Sequence, residues 1–146
     1  MDLREQLQKI FGLDEFRPAQ QGVIEDVLAG KDVLCVMPTG AGKSLCFQLP
    51  AAVKGGLTLV VSPLISLMED QVQQLRDEGI PACLLNSSLS PALQREAIAQ
   101  IEDGFEGLLY VAPERFFASN FQATMASCTL PLQLRRSRLF ASFTSC

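Results

Sequence analysis

Residues 37–44 read MPTGAGKS, and the types and order of these side chains suit one task, the gripping of phosphate. Gly40 and Gly42 let backbone N–H groups approach oxygen atoms closely, and Thr39 and Ala41 beside them are small. Lys43 supplies a compact cation for the β and γ phosphates, and Ser44 offers a hydroxyl to Mg²⁺. The competing reading is a glycine turn with a surface lysine. The flanks favour the phosphate loop: the apolar run DVLCVM at 32–37 precedes it, and SLCFQLP can begin a helix whose positive end faces the anion. The general pattern G-x-x-x-x-G-K-[ST] is met except at its first position, where Met37 stands for glycine.

A phosphate loop must be presented by a strand and a helix, and the surrounding sequence supplies candidates for both. DVLCVM is short and continuously apolar, which reads as a buried strand; LTLVVS at 57–62 and GLLYVA at 107–112 have the same character, with PACLLN at 81–86 a weaker fourth. Pro18 can open a helix with apolar positions Ala19, Val23, Ile24, Val27 and Leu28, and Gly30 can close it. Leu64, Leu67, Met68, Val72 and Leu75 share one helical face before Gly79. Leu93, Ala97, Ile98 and Ile101 share another after Ser90-Pro91. Strands alternating with helices predict an α/β fold, a parallel sheet with helices on both faces.

Composition sets the outer limits. A chain of 146 residues with 48% hydrophobic and 19% charged residues suits one globular domain. No apolar stretch approaches the roughly 20 residues of a membrane helix, and MDLREQLQKI is no secretory signal, so a cytoplasmic protein is expected, with no membrane partner. Cys35, Cys46, Cys83, Cys128 and Cys146 are scattered and no histidine exists, so neither a disulfide framework nor a zinc site is indicated. Cys35, Cys46 and Cys83 lie in apolar runs and read as small core residues. All 16 acidic residues fall at or before Glu114, whereas Arg135, Arg136 and Arg138 cluster near the end. Residues 1–115 therefore carry a net charge of −7, which excludes nucleic-acid binding by bulk charge alone.

A phosphate loop does not by itself separate kinases, GTPases, transporter subunits and motors. The segments FGLDEFRPAQQGVIEDVLAGKDVLCVMPTGAGKSLCFQLPA, LTLVVSPLISLMEDQVQQL and LLYVAPER together resemble the opening of a RecQ-family DNA helicase of superfamily 2, from about Phe11 to about Phe121. MPTGxGKS in place of a leading glycine is part of that resemblance. It implies an incomplete RecA-like motor domain over residues 1–127, use of ATP and Mg²⁺, and single-stranded or partly duplex DNA as substrate in recombination and repair. It also implies that Arg17 and Gln20 of FRPAQ recognise adenine: a glutamine amide donates to and accepts from the base edge, and a guanidinium stacks on it. Leu13 departs from the aromatic residue that often stacks on the base in relatives. SPLISLMEDQV resembles the motif whose helix start meets a DNA phosphate, with Ser62 the plausible contact and Asn86 and Ser87 a further one. APER, ending at Arg115, resembles a motif at the carboxyl end of a strand, where parallel sheets place working residues.

The same family needs a DEAH or DExH sequence, whose aspartate holds Mg²⁺ and whose glutamate orients water. This chain has no histidine, no aspartate after Asp103 and no glutamate after Glu114. RLFA at 138–141 is what leads into that strand in relatives, yet SFTSC follows, so residues 128–146 read as a divergent tail. Two functions are then expected in competition: the ATP-binding segment of a DNA-unwinding enzyme, or a truncated nucleotide-binding module or pseudo-enzyme without hydrolysis. A small-molecule kinase lacks support, since nothing resembles a lid or acceptor site. With the acidic strand missing, DVLCVM is expected to lose a sheet neighbour and expose apolar side chains, unless RLFASF, whose alternation permits a strand, takes that place.

Overall fold

A computed structural model of the chain describes residues 1–38, 40–117, 123 and 138–141. Thr39 and the expected tail apart from 138–141, with Cys128, Cys146, Arg135 and Arg136, lie outside the described residues. Two compact units emerge, Met1–Gly55 and Gly56–Phe143.

The first unit is helical where it is regular: α1 Leu3–Phe11, α2 Gln20–Leu28 and α3 Leu45–Lys54. The sequence reading did not anticipate α1, although its caps are written in the chain. The Asp2 carboxylate accepts from the Arg4 N–H at 2.9 Å, and the N–H of Gly12 returns to the Gln8 carbonyl at 2.9 Å. Leu7, Ile24, Leu45 and Leu49 from the three helices form the core, supported by Ile10, Phe11, Phe16, Leu28 and Val53. Each fully buried leucine contributes about 1.5–3 kcal/mol of transfer free energy. Helix α2 begins at Gln20, later than the expected start at Pro18, because Ala19 takes a left-handed backbone (φ 70°) and closes a turn in which the Gln20 N–H bonds the Arg17 carbonyl at 3.1 Å.

The expected buried strand at 32–37 is corrected by the structure. Residues 31–38 form neither strand nor helix, and Leu34 and Val36 are 93% and 88% exposed. An apolar run becomes a strand only when neighbours accept its N–H and C=O groups. No described strand pairs with these residues.

The second unit is the parallel sheet. Strands β1 Leu57–Val61, β2 Ala82–Leu85, β3 Gly107–Val111 and β4 Arg138–Ala141 lie in the order β2-β3-β1-β4, all parallel. The first three fall where apolar runs of the sequence place them, and RLFA does pair as a strand beside β1. Helices α4 Ile65–Asp77 and α5 Pro91–Glu102 make the crossovers. Leu59, Val61, Cys83, Leu85, Leu109 and Val111 point to one face and pack with Ala97 and Ile101 of α5. The alternate set points the other way, where Tyr110, 1% exposed, donates its hydroxyl to Gln71 of α4 at 2.9 Å. The sheet is therefore covered by helices on both faces, as the alternation of the sequence implies.

Candidate nucleotide and nucleic-acid sites

In the first unit, residues 40–44 form an irregular loop that runs into the first turn of α3. Gly40 and Gly42 both adopt the left-handed region, φ 82° and 77°, which side chains other than glycine enter only at a cost. Two side chains hold the loop by its carbonyls, one from the turn before α2 and one from the first residue of α2: the Arg17 guanidinium donates to Gly40 O, and Gln20 Nε2 donates to Gly42 O at 2.9 Å. Gln20 is itself fixed, because its Oε1 accepts from the Arg17 N–H at 2.7 Å and it is only 3% exposed.

The orientation of the loop follows from this clamp. Across a planar trans peptide the C=O and N–H point in opposite directions, so holding Gly42 O toward Gln20 turns the Lys43 N–H away from it. The N–H groups of Gly42, Lys43 and Ser44 donate to no acceptor among the described residues. Space at Gly42 is used up as well: a Cβ there would sit 2.3 Å from Gln20 Nε2. Helix α3 carries no acidic residue in its first turn, and the Ser44 hydroxyl makes no capping bond. Among the described residues the one ion pair joins Lys31 to Asp26, so the Lys43 ammonium has no carboxylate partner there. Orphaned N–H groups, an unpaired ammonium and an uncommitted hydroxyl are what a polyphosphate and its Mg²⁺ require, so the residues fit those ligands. Thr39 lies outside the described residues.

Gln20 has capacity left for a base. Its amide carries two donors and two acceptor lone pairs, and the clamp uses one of each. Arg17 is exposed, and Leu13 is 47% exposed.

In the second unit, the residues suspected of meeting nucleic acid gather at the carboxyl ends of the strands. Val61 pairs with Val111 and Val111 with Leu85, so Ser62, Ala112 and Asn86 leave the sheet side by side. Ser62 is 3% exposed, and its hydroxyl accepts from the Leu64 N–H at 3.3 Å. Asn86 is wholly buried; its Oδ1 accepts from the Ser88 N–H at 2.9 Å and from the Ser88 hydroxyl, and its Nδ2 has no partner among the described residues. Ser87 is exposed, and Arg115, half-buried in a short 3-10 helix at Pro113–Phe117, donates to Gln94 Oε1 of α5. Gln94 in turn donates to the Leu89 carbonyl at 2.9 Å, and the Ser88 hydroxyl also bonds Glu69 of α4 at 3.1 Å. Sequence reasoning missed Glu69, Ser88 and Gln94. The N-S-S run at 86–88 is a turn signal that points to Ser88, but nothing local marks the other two.

A parallel sheet covered by helices in one unit and a glycine-rich loop opening a helix in the other are parts from which phosphate-loop α/β proteins are built. The sequence model of the DEAD/DEAH box helicases matches residues 17–137, and the chain belongs to that family. It is 52% identical over 112 residues to the ATP-dependent DNA helicase RecQ of Synechocystis, covering 77% of this chain and 23% of that one. It is 48% identical over 122 residues to RecQ of Pasteurella multocida, covering 84% and 19%, and 45% identical over 129 residues to rat ATP-dependent DNA helicase Q5, covering 86% and 13%. The chain thus spans 13% to 23% of the length of these relatives. In fold it resembles a hypothetical ATP-dependent RNA helicase from Sulfolobus tokodaii, with TM-score 0.66 and 19% identity over 97% of this chain and 50% of that one. Among the described residues no helix is long and apolar enough to cross a membrane, and no cluster of metal-ligating side chains occurs.

Proposed function

We propose that this chain is the ATP-binding segment of a cytoplasmic RecQ-type DNA helicase acting on single-stranded or partly duplex DNA in recombination and repair, with residues 1–127 as its part of the motor domain. The observation that carries the nucleotide half is the clamp of Arg17 and Gln20 on the carbonyls of Gly40 and Gly42, which turns backbone donors away from the clamp and toward a ligand. ATP, when bound, supplies the phosphoanhydride whose cleavage drives such motors. Gly40, Ala41, Gly42 and Thr39 line its phosphates with backbone; Lys43 neutralises charge on the terminal phosphates; Ser44 directs its hydroxyl to Mg²⁺. Gln20 reads the adenine edge with its remaining donor and acceptor, and Arg17 stacks on the base.

For nucleic acid, the exposed Ser87 and the guanidinium of Arg115 meet phosphate. Buried Ser62 and Asn86 hold the strand-end loops in shape and contribute through the backbone that follows them. Local contacts of this kind suit a chain whose first 115 residues carry a net charge of −7.

One observation favours the second function for these 146 residues taken alone. Strand β4 reads RLFA and offers no carboxylate, and the chain has no aspartate after Asp103 and no glutamate after Glu114. Positioning of the attacking water is central to phosphoryl transfer, so a polypeptide of these residues binds ATP without turning it over. Steady-state phosphate release with and without single-stranded DNA tests this. We expect background rates in both; DNA-stimulated turnover of roughly 1–100 per second, the range of competent phosphoryl-transfer enzymes, contradicts it.

A further inference from the structure

One neutral side chain holds the guanidinium of Arg115. A terminal nitrogen of that group donates to Gln94 Oε1 of α5, and the other end of the same amide, Gln94 Nε2, donates to the Leu89 carbonyl at 2.9 Å. We propose that Gln94 is a positioning residue for nucleic-acid binding, one that aims the Arg115 guanidinium at a single-strand phosphodiester without cancelling its charge. The proposal rests on the reading above that Arg115 meets phosphate.

The donors of Arg115 explain why one contact sets its direction. A guanidinium carries five N–H groups. Gln94 takes one, and Nε is shut away from solvent with no partner among the described residues. The others, on the terminal nitrogens, are left for an anion. No carboxylate competes for them, because the one ion pair among the described residues joins Lys31 to Asp26. The group is thus charged, half-buried and steered by a single amide.

Gln94 is well placed to steer it. The Ser90 hydroxyl accepts from the Leu93 N–H at 3.3 Å and the Gln94 N–H bonds the Ser90 carbonyl at 2.9 Å, which pins the first turn of α5. The side-chain amide then has one usable orientation. Turned over, it would set donor against donor at Arg115 and acceptor against acceptor at Leu89. The contact also ties together two segments that leave neighbouring strands, the turn after β2 and the 3-10 helix after β3. Neutrality is the second requirement. A glutamate at this position would hold the guanidinium through a stronger, charge-assisted bond, but it would offset the charge that phosphate needs. In a chain whose first 115 residues carry a net charge of −7, one uncancelled cation at the strand ends matters.

The full chain and its variants are titrated with a fluorescently labelled oligothymidylate single strand at salt from about 50 to 200 mM. We expect Arg115→Ala to flatten the slope of log Kd against log salt by about 0.7, the share of one phosphate on a single strand. Gln94→Glu keeps the acceptor but sets a carboxylate on the guanidinium, and should flatten the slope equally. Gln94→Ala frees the guanidinium and should raise Kd about threefold to tenfold, the value of one hydrogen bond. In the Arg115→Ala background either change at Gln94 should move Kd by less than about twofold, whereas a merely structural role would make the effects add. Modification of Arg115 by phenylglyoxal, mapped by mass, reads the guanidinium without DNA and should be faster in Gln94→Ala than in the parent. Effects of Gln94 that persist without Arg115, or a slope that Arg115→Ala flattens and Gln94→Glu does not, overturn the positioning role. A parent that binds no strand, or an Arg115→Ala variant with the parental slope, refutes the phosphate reading instead; the phenylglyoxal rates then judge the positioning, and equal rates overturn it.

Discussion

Replacing Gln20 by alanine tests the clamp. The substitution removes the acceptor of the Arg17 N–H at 2.7 Å and the donor to Gly42 O at 2.9 Å. Because Gln20 is 3% exposed, water does not readily replace either partner. Each bond is worth about 0.5–1.5 kcal/mol, so the pair gives a loss of about 1–3 kcal/mol. With a urea slope of about 1–3 kcal/mol/M, a loss near 2 kcal/mol lowers the unfolding midpoint by about 1 M with the slope unchanged. Circular dichroism in a urea series reads that shift. Competition of ATP and GTP for the same protein reads the functional half: the parent should prefer ATP, and the variant should lose that preference. Gln20→Glu sharpens the test, since it keeps the acceptor for Arg17 but sets a carboxylate oxygen against the Gly42 carbonyl; it should lose as much as alanine or more. A midpoint within about 0.2 M of the parent, together with intact base preference, refutes the clamp.

Other consequences can be checked beside it. Gly40→Ala and Gly42→Ala should each cost about 1–2 kcal/mol for the left-handed backbone, but only Gly42→Ala forces Gln20 aside, so only that variant should also erode the preference for ATP over GTP. Urea melts and nucleotide competition separate the two. Amide hydrogen exchange should be fast across residues 31–38, which lack ladder bonds, and slow in β1 and β3, whose residues pair through the sheet; protection at Leu34 equal to that at Leu109 contradicts the placement.

Periodicity decided what was legible in the sequence. Strands β1 and β3 are short, largely apolar runs bounded by glycines or turns, and α4 and α5 carry their core residues Met68, Val72, Leu75, Ala97 and Ile101 at helical spacing. Local signals therefore sufficed for most of the second unit. DVLCVM has the same apolar character as β1 but no strand beside it, and strand formation depends on that partner rather than on composition. Residues 40–44 stand out in the sequence because phosphate chemistry constrains type and spacing together, and the structure gives Gly40 and Gly42 the left-handed backbone that their glycines permit. That Gln20 and Arg17 hold the loop was not, since the bonds to Gly42 and Gly40 span 22 and 23 residues. Glu69 and Gln94 were hidden for the same reason, reaching Ser88 and Arg115 across 19 and 21 residues.

The central claim is that residues 40–44 hold the phosphates of ATP, and an equilibrium titration of the parent and of Lys43→Ala with ATP and Mg²⁺ tests it most directly. Lys43 is half-buried with no carboxylate partner among the described residues, so its removal leaves the fold in place and takes away the loop's cation. The account predicts binding by the parent and an affinity at least about tenfold weaker in the variant, a loss of about 1.4 kcal/mol. Equal affinities in the two proteins contradict it.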